Sequence, residues 1–350
     1  MEATSAALPD WLRSMWALKN RTPYAAERNW TRDKDGIHWW LVAVRATFDI
    51  TPGGRCILAD EQPPPVLMPE YFGEPGRSSL RYDSDLLAAK PSTDVLLIAH
   101  AYAPHGRPTP TVPVSLRIGE LHKELLVHGD RTYCRGWTRV TTTRAEPFTT
   151  RPIRYEFAFG GSNFSDPDPE NHYIDERNPI GRGFALRAAH LIGQPAHTIE
   201  YPRGEPADYG PAGFGPIDPL WMPRRKLAGT YDARWEQLKK PLLPDNFNPA
   251  FALSSPTDQR TERPIVGGER IELLNMTPDS ALRFELPRIS LGFTTRIVTR
   301  SEQHGSRVVL VLVEPNERRL SLVWQSALRV PAPDADYLDE TEIVEARSVT

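Results

Sequence analysis

Proline restricts this chain more than any other residue: 35 of its 350 residues are proline, about twice the average usage. Each one fixes φ and removes a backbone donor, so it is excluded from helix interiors and central strands. Proline at such density commonly accompanies disorder. Here it is interspersed with nine Trp, eleven Tyr and twelve Phe, an aromatic content that disordered chains lack. Together these features predict short strands joined by long, ordered Pro/Gly-rich loops, with few short helices. The expected fold class is mainly β, an antiparallel sandwich or barrel-like body of one or two lobes.

Strand signals bracket the chain. Residues 37–50 read as a long strand entered through the Asp35-Gly36 turn. Residues 94–102 form a continuous apolar run closed by Pro104 and Gly106, as a buried strand should. Residues 112–119 alternate apolar and polar, and 121–127 and 153–161 read as further strands. Strand patterns return at 268–275, 282–286, 294–299, 307–313 and 320–324. The expected organisation is an N-terminal arm over 1–19, with a short amphipathic helix over 8–18, and a principal domain over 20–335. That domain divides into a β-rich core (20–160), a Pro/Gly/aromatic loop region (161–260) and a second β-rich part (261–335). An acidic, mobile tail is expected over 336–350. Within the loop region, 229–240 is the one helix candidate, capped by Thr230 or Asp232 and stopped by Pro241.

Charges gather where the apolar run begins. Asp83, Asp85, Lys90 and Asp94 lie just ahead of a segment that should be buried. A buried unpaired charge is costly, so Lys90 is expected to pair with one of these aspartates. No nucleophile or metal spacing accompanies them, so a structural ion pair is the expectation rather than a ligand site. Asp130 and Arg131, after Gly129, read as a turn closed by their own ion pair.

The balance of 42 basic and 45 acidic residues, net charge -3, argues against general nucleic-acid binding. Cys56 and Cys134 form no metal or redox pattern. The opening MEATSAALPDW lacks a basic, apolar leader, and no apolar run reaches membrane-spanning length, so a cytoplasmic setting is expected. Nucleophile elbows, phosphate-cradling glycine loops and metal-binding helix patterns are missing from the sequence. His100, His105, His122 and His128 are close in sequence but fall on different local elements, and no metal or cofactor is expected. The acidic run Asp166, Asp168, Glu170, Asp175 and Glu176 carries proline where a calcium loop needs freedom. The best candidates for a protein-facing surface are Phe214, Trp221, Tyr231 and Trp235, with Arg224 and Arg225 beside them, since aromatics and arginine dominate interface energetics. The competing reading is that these aromatics pin the loops to the β core.

A series of short segments, in order through most of the chain, resembles the bacterial family called domain of unknown function 2169. They include Asn20-Arg-Thr-Pro-Tyr24, Val42-Ala-Val-Arg-Ala-Thr-Phe-Asp49, Tyr82-Asp-Ser-Asp-Leu86, Lys90-Pro-Ser-Thr-Asp-Val-Leu-Leu97 and Val127-His-Gly-Asp-Arg131. Tyr155-Glu-Phe-Ala-Phe-Gly-Gly161, Asn178-Pro-Ile-Gly-Arg-Gly183, Gly213-Phe-Gly-Pro216, Trp221-Met-Pro-Arg224 and Ala228-Gly-Thr-Tyr-Asp232 continue the series. His100 stands where a small residue is expected and Tyr133 where a Trp is expected. The resemblance implies a non-catalytic, cytoplasmic adaptor or chaperone of type VI secretion. Such a protein would bind a secreted effector and help load it onto a VgrG or PAAR-like spike protein. It supplies no catalytic residues. Two other readings are a hydrolytic carbohydrate-active β protein, using Asp83 with Asp85 or Asp166 with Asp168, and a structural component of the secretion particle.

Overall fold

The centre of the fold is the long strand near the start of the chain, and its sequence explains its position. In the computed structural model, which describes residues 16–261, 263–297 and 300–346, His38–Ile50 is a single strand buried along almost its whole length. Its even-numbered residues, Trp40, Val42, Val44, Ala46, Phe48 and Ile50, face the main core. Its odd-numbered Leu41 and Ala43 face a second, smaller cluster with Leu86, Leu96, Leu310 and Leu312. A sheet covered on both faces needs a continuous apolar run instead of strict alternation.

Three larger sheets carry the body. Their strands, in chain order, are β1 (Ala17–Asn20), β2 (Ala25–Arg32), β3 (His38–Ile50), β4 (Cys56–Leu58), β5 (Asp94–Leu97), β6 (Thr111–Ile118), β7 (Leu121–His128) and β8 (Ile199–Glu200). They continue as β9 (Arg270–Leu274), β10 (Ala281–Glu285), β11 (Leu291–Ile297), β12 (Arg300–Gly305), β13 (Arg307–Glu314), β14 (Arg319–Val330) and β15 (Leu338–Glu345). The central sheet runs β2-β3-β14-β13-β5, with β4 on the end of β3. The second runs β8-β7-β6-β9-β10 and the third β1-β15-β11-β12. Pairing is antiparallel throughout these sheets except β5 on β13 and β1 on β15. The protein is mainly β with a few short helices, and among the described residues no sheet closes into a barrel. One continuous apolar cluster draws on all three sheets, from Tyr24 to Ile343, so the three sheets share their main core.

Several expectations are corrected. Residues 1–15, with most of the expected N-terminal helix, lie outside the described residues. Ala17–Asn20 is a strand, not an arm, and the acidic end is its partner: Leu338–Glu345 sits between β1 and β11. Thr341 and Ile343 are fully buried there, so alternation of apolar and acidic residues, not mobility, is what that composition encodes. The apolar run 94–102 is two strands. Its first half pairs with β13, while His100–Tyr102 leaves the sheet and pairs with Thr150–Pro152. Residues 153–161 are not a strand but a 3-10 turn over Tyr155–Phe157 followed by the two-residue strand Phe159–Gly160.

β5 is an edge strand, and what covers its free edge organises the loop region. Asp94, with no exposed surface, receives Lys90 Nζ at 2.9 Å and the backbone N–H groups of Ser255 at 2.9 Å and Ser254 at 3.1 Å. Gln259 Nε2 donates to the carbonyls of Val95 and Phe214, and Leu97 N–H donates to the same Phe214 carbonyl. Irregular segments around 214 and 254–260 thus close the edge that another strand would otherwise template. Burial alone would push the Asp94 carboxyl up, but the Lys90 ammonium and the Ser255 N–H hold it below the ordinary carboxylate range. Burial likewise opposes the charge on Lys90, and Asp94, Asp85 and Asp83 overcome it, raising the Lys90 pKa. Asp85, where burial prevails over Lys90 and Arg45, is pushed up.

Removing one member of a buried pair leaves the other uncompensated. Lys90→Ala and Asp94→Ala are each expected to lower the unfolding free energy by about 3–5 kcal/mol in urea denaturation. Wild-type unfolding of Lys90→Ala would contradict this placement of the pair.

Candidate functional site

The loop layer that covers β5 also encloses a cleft of about 1050 Å³. Its lining comes from the loop region between 177 and 260, with Glu124 contributed by β7. Apolar groups dominate part of it: Ile217, Met222, Pro223, Leu227 and Leu253. Tyr201 and Tyr209 stack edge to face at 4.8 Å on the wall, beside Arg177, Arg203, Arg224, Asp258 and Arg260. A smaller cleft of about 450 Å³, lined by 118–122, Thr261 and 263–265, shares Thr257, Asp258 and Arg260 with the first.

The walls are irregular backbone, so buried side chains replace ladder hydrogen bonds. Arg224 donates to the Ile217 carbonyl at 2.6 Å, the Phe251 carbonyl at 2.9 Å and the Asp83 carboxylate at 2.6 Å. Asn178 Nδ2 donates to the Tyr155 and Phe159 carbonyls, which joins two of the segments carrying the sequence resemblance. Gly160, at φ +147°, lies against that asparagine: a Cβ there would meet the Asn178 carbonyl oxygen at 2.2 Å. Gly213 lies flat on the Tyr155 ring, where a Cβ would meet it at 2.5 Å, and the Tyr155 hydroxyl donates to the Gly215 carbonyl. At both glycines the requirement is close backbone approach.

At the cleft floor, Asp258 accepts from Lys123 Nζ at 2.9 Å and from the Tyr201 hydroxyl at 2.6 Å. Burial lowers the Lys123 pKa to about 8, against the pull of Asp258, while burial and then Asp258 push the Tyr201 phenol up. Behind the tyrosines lies a cluster that sequence reading missed. Glu200 is 2.6 Å from His128 Nε2, 3.0 Å from His197 Nε2 and 3.1 Å from Arg131. The Tyr133 hydroxyl completes it at 2.7 Å from His197 Nδ1. Burial opposes the Glu200 charge, but the two histidines and Arg131 hold its carboxyl far below the ordinary range. No sequence signal marks this site, because its members come from two short stretches far apart in the chain, 128–133 and 197–200, and together they form no spaced motif.

The expected site residues divide by depth. Phe214 and Trp221 are core residues, 1% and 5% exposed, and Trp221 packs edge-on against Tyr155. Arg224 is buried against Asp83. These three are corrected from interface to anchor, since each is buried and ties loop segments to the interior. Tyr231 is exposed and packs edge-on against half-buried Trp235, whose indole donates to the Leu242 carbonyl; Arg225, also exposed, pairs with Glu176 at 2.6 Å. Trp235 lies in the expected helix, Ala233–Leu238, capped by Asp232. Asp130 and Arg131 do not pair with each other. Asp130 takes Arg151 at 2.7 Å and Arg131 turns inward to Glu200, because successive residues leaving β7 point to opposite sides. Asp83 and Asp85 are buried, Asp166 and Asp168 close their own exposed turn, and none of the four lines the cleft. Trp137, which sequence reading passed over, stands fully exposed at a hairpin tip, and Arg139 of that hairpin reaches Glu205 at 3.6 Å, close to the cleft wall.

The fold and cleft define a β-rich protein whose outer layer is a rigid sleeve of irregular loops. The chain belongs to the bacterial family described as "Uncharacterized protein conserved in bacteria (DUF2169)", whose model matches residues 35–325. Comparisons with curated proteins and with solved structures gave no match. Among the described residues, no helix is long and apolar enough to cross a membrane.

If Trp221 is an anchor and Tyr231 a surface residue, truncation separates them. Trp221→Ala is expected to cost about 3–5 kcal/mol in equilibrium unfolding, and Tyr231→Ala to stay within about 1 kcal/mol of wild type. Equal losses would contradict the assignment.

Proposed function

We propose that this protein is a non-catalytic adaptor or chaperone of type VI secretion, which holds part of a toxic effector and presents it to a VgrG or PAAR-like spike protein. The carrying observation is the cleft of about 1050 Å³ built from rigid, Pro-rich loops. Walls tied down by Arg224, Asn178 and Gln259 are ordered before a partner arrives, so little conformational entropy is lost on binding. Its apolar lining with tyrosine and arginine at the rim is the composition of a protein-binding hot spot. Exposed Trp137 near the same wall extends that surface. A bound partner would also stabilise the adaptor and the client by mass action.

Purification of the tagged chain from its native host, with retained proteins identified by mass spectrometry, tests the reading. Recovery of a toxin-domain protein together with a VgrG or PAAR-like protein is expected. Trp137→Ala is expected to reduce that retention while leaving the thermal midpoint unchanged. A partnerless monomer, with the candidate partners expressed, would overturn the proposal.

A further inference from the structure

The charges around the cleft do not cancel evenly. Arg177 is held by Asp175 at 2.8 Å and Arg224 by Asp83 at 2.6 Å. Asp258 is engaged by Lys123 and Tyr201. Among the described residues, this leaves Arg203, Arg260 and Glu124 in the larger cleft without an ion-pair partner within 4.0 Å. Arg203 and Glu124 are exposed, where water solvates a charge adequately. Arg260 is different. It is largely removed from solvent, its Nη2 donates to the Ser255 carbonyl, and its buried Nε has no hydrogen-bond partner. Asp94, its partner in an isolated β-bridge, already serves Lys90, Ser254 and Ser255. An arginine desolvated to this degree normally meets a carboxylate or phosphate, often through two parallel bonds.

Arg260 also lines both clefts, at the boundary they share with Thr257 and Asp258. The larger cleft alone reaches the upper end of small-ligand sites, and the two together exceed it. A length of polypeptide fits such a double groove better than a compact metabolite does. The smaller cleft adds Glu120, Glu269, His122 and Arg263, and Glu269 is taken up by the N–H groups of Val266 and Gly267.

We propose that the double cleft is a peptide-binding groove that takes an apolar client segment carrying one acidic side chain, with Arg260 as the carboxylate anchor. This deepens the adaptor reading and rests on it for the identity of the client. The anchor selects the segment: apolar side chains fill the cleft beside Leu227 and Leu253, and the acidic group fixes its register at the divide.

The test uses purified full-length protein and fluorescein-labelled, end-capped peptides of sequence Leu-Ser-Leu-Glu-Leu-Ser-Leu, with a Gln counterpart, read by fluorescence anisotropy. The Glu peptide is expected to bind wild type about tenfold or more tightly than the Gln peptide, the usual discrimination of a charge-assisted pair. Arg260→Gln is expected to abolish that preference, and Arg260→Lys to restore part of it. Ala250→Trp, which fills the lining without touching the anchor, is expected to weaken both peptides. Thermal unfolding of each variant shows whether the fold persists. Failure of wild type to bind either peptide, equal binding of the two, or a preference that survives in folded Arg260→Gln would overturn the proposal. So would decanoate binding more tightly than the Glu peptide. Partner recovery from the host with no dependence on Arg260 would sink this inference alone and leave the adaptor reading standing. Peptide binding with no recoverable partner would do the reverse.

Discussion

Asp94 is where the central sheet and the loop layer are joined. It begins β5, the edge of the central sheet, and it accepts at once from a lysine of its own chain segment and from two backbone amides of a remote loop. An edge strand left open would invite pairing with another chain. Here the edge is closed by Phe214, Gln259 and the turn at Ser254–Ser255. Those segments are also the inner wall of the cleft. The buried charge therefore couples the integrity of the sheet to the shape of the groove.

The same logic runs through the loop layer. Prolines remove donors and prevent ladders, which leaves many buried carbonyls in need of partners. Arg224, Asn178, Gln259 and Gln325 supply them. Gln325, for example, donates to the carbonyls of Asp85 and Ala88 and accepts from the Lys90 N–H. Each bond contributes only about 0.5–1.5 kcal/mol net, yet leaving one buried group unpaired costs about 1–3 kcal/mol. Order in such a region is thus enforced mainly by the cost of its absence. That is a suitable basis for a binding surface that must keep its shape while empty.

Much of the fold was legible because burial on one or two faces writes itself into local pattern. The alternation of residues 112–118, the continuous run of β3 and the need of Lys90 for an acidic partner all follow from nearest-neighbour chemistry. What could not be read depended on contacts distant in sequence. β1 and β15 find each other across the length of the chain, and the register of neither is stated locally. Trp221 and Phe214 look like interface residues from composition, and only the position of Tyr155 and the edge of β5 make them core. The cleft itself was indicated only as a region. Its lining residues are ordinary prolines, tyrosines and arginines, which carry no recognisable spacing. Arg260 stands out only once its missing partner is visible.

An adaptor needs a groove that is preformed, and here that rigidity would come from amides of irregular loops bonded to buried side chains. Native-state hydrogen exchange of the Ser254 and Ser255 amides tests this most directly. Exposed loop amides exchange by local fluctuation, whereas amides fixed to a buried carboxylate should open only with the surrounding core. Protection of these two amides comparable to that of β13 is expected. Exchange at the rate of an unstructured loop, with β13 protected, would show that Asp94 does not hold the loop layer to the sheet.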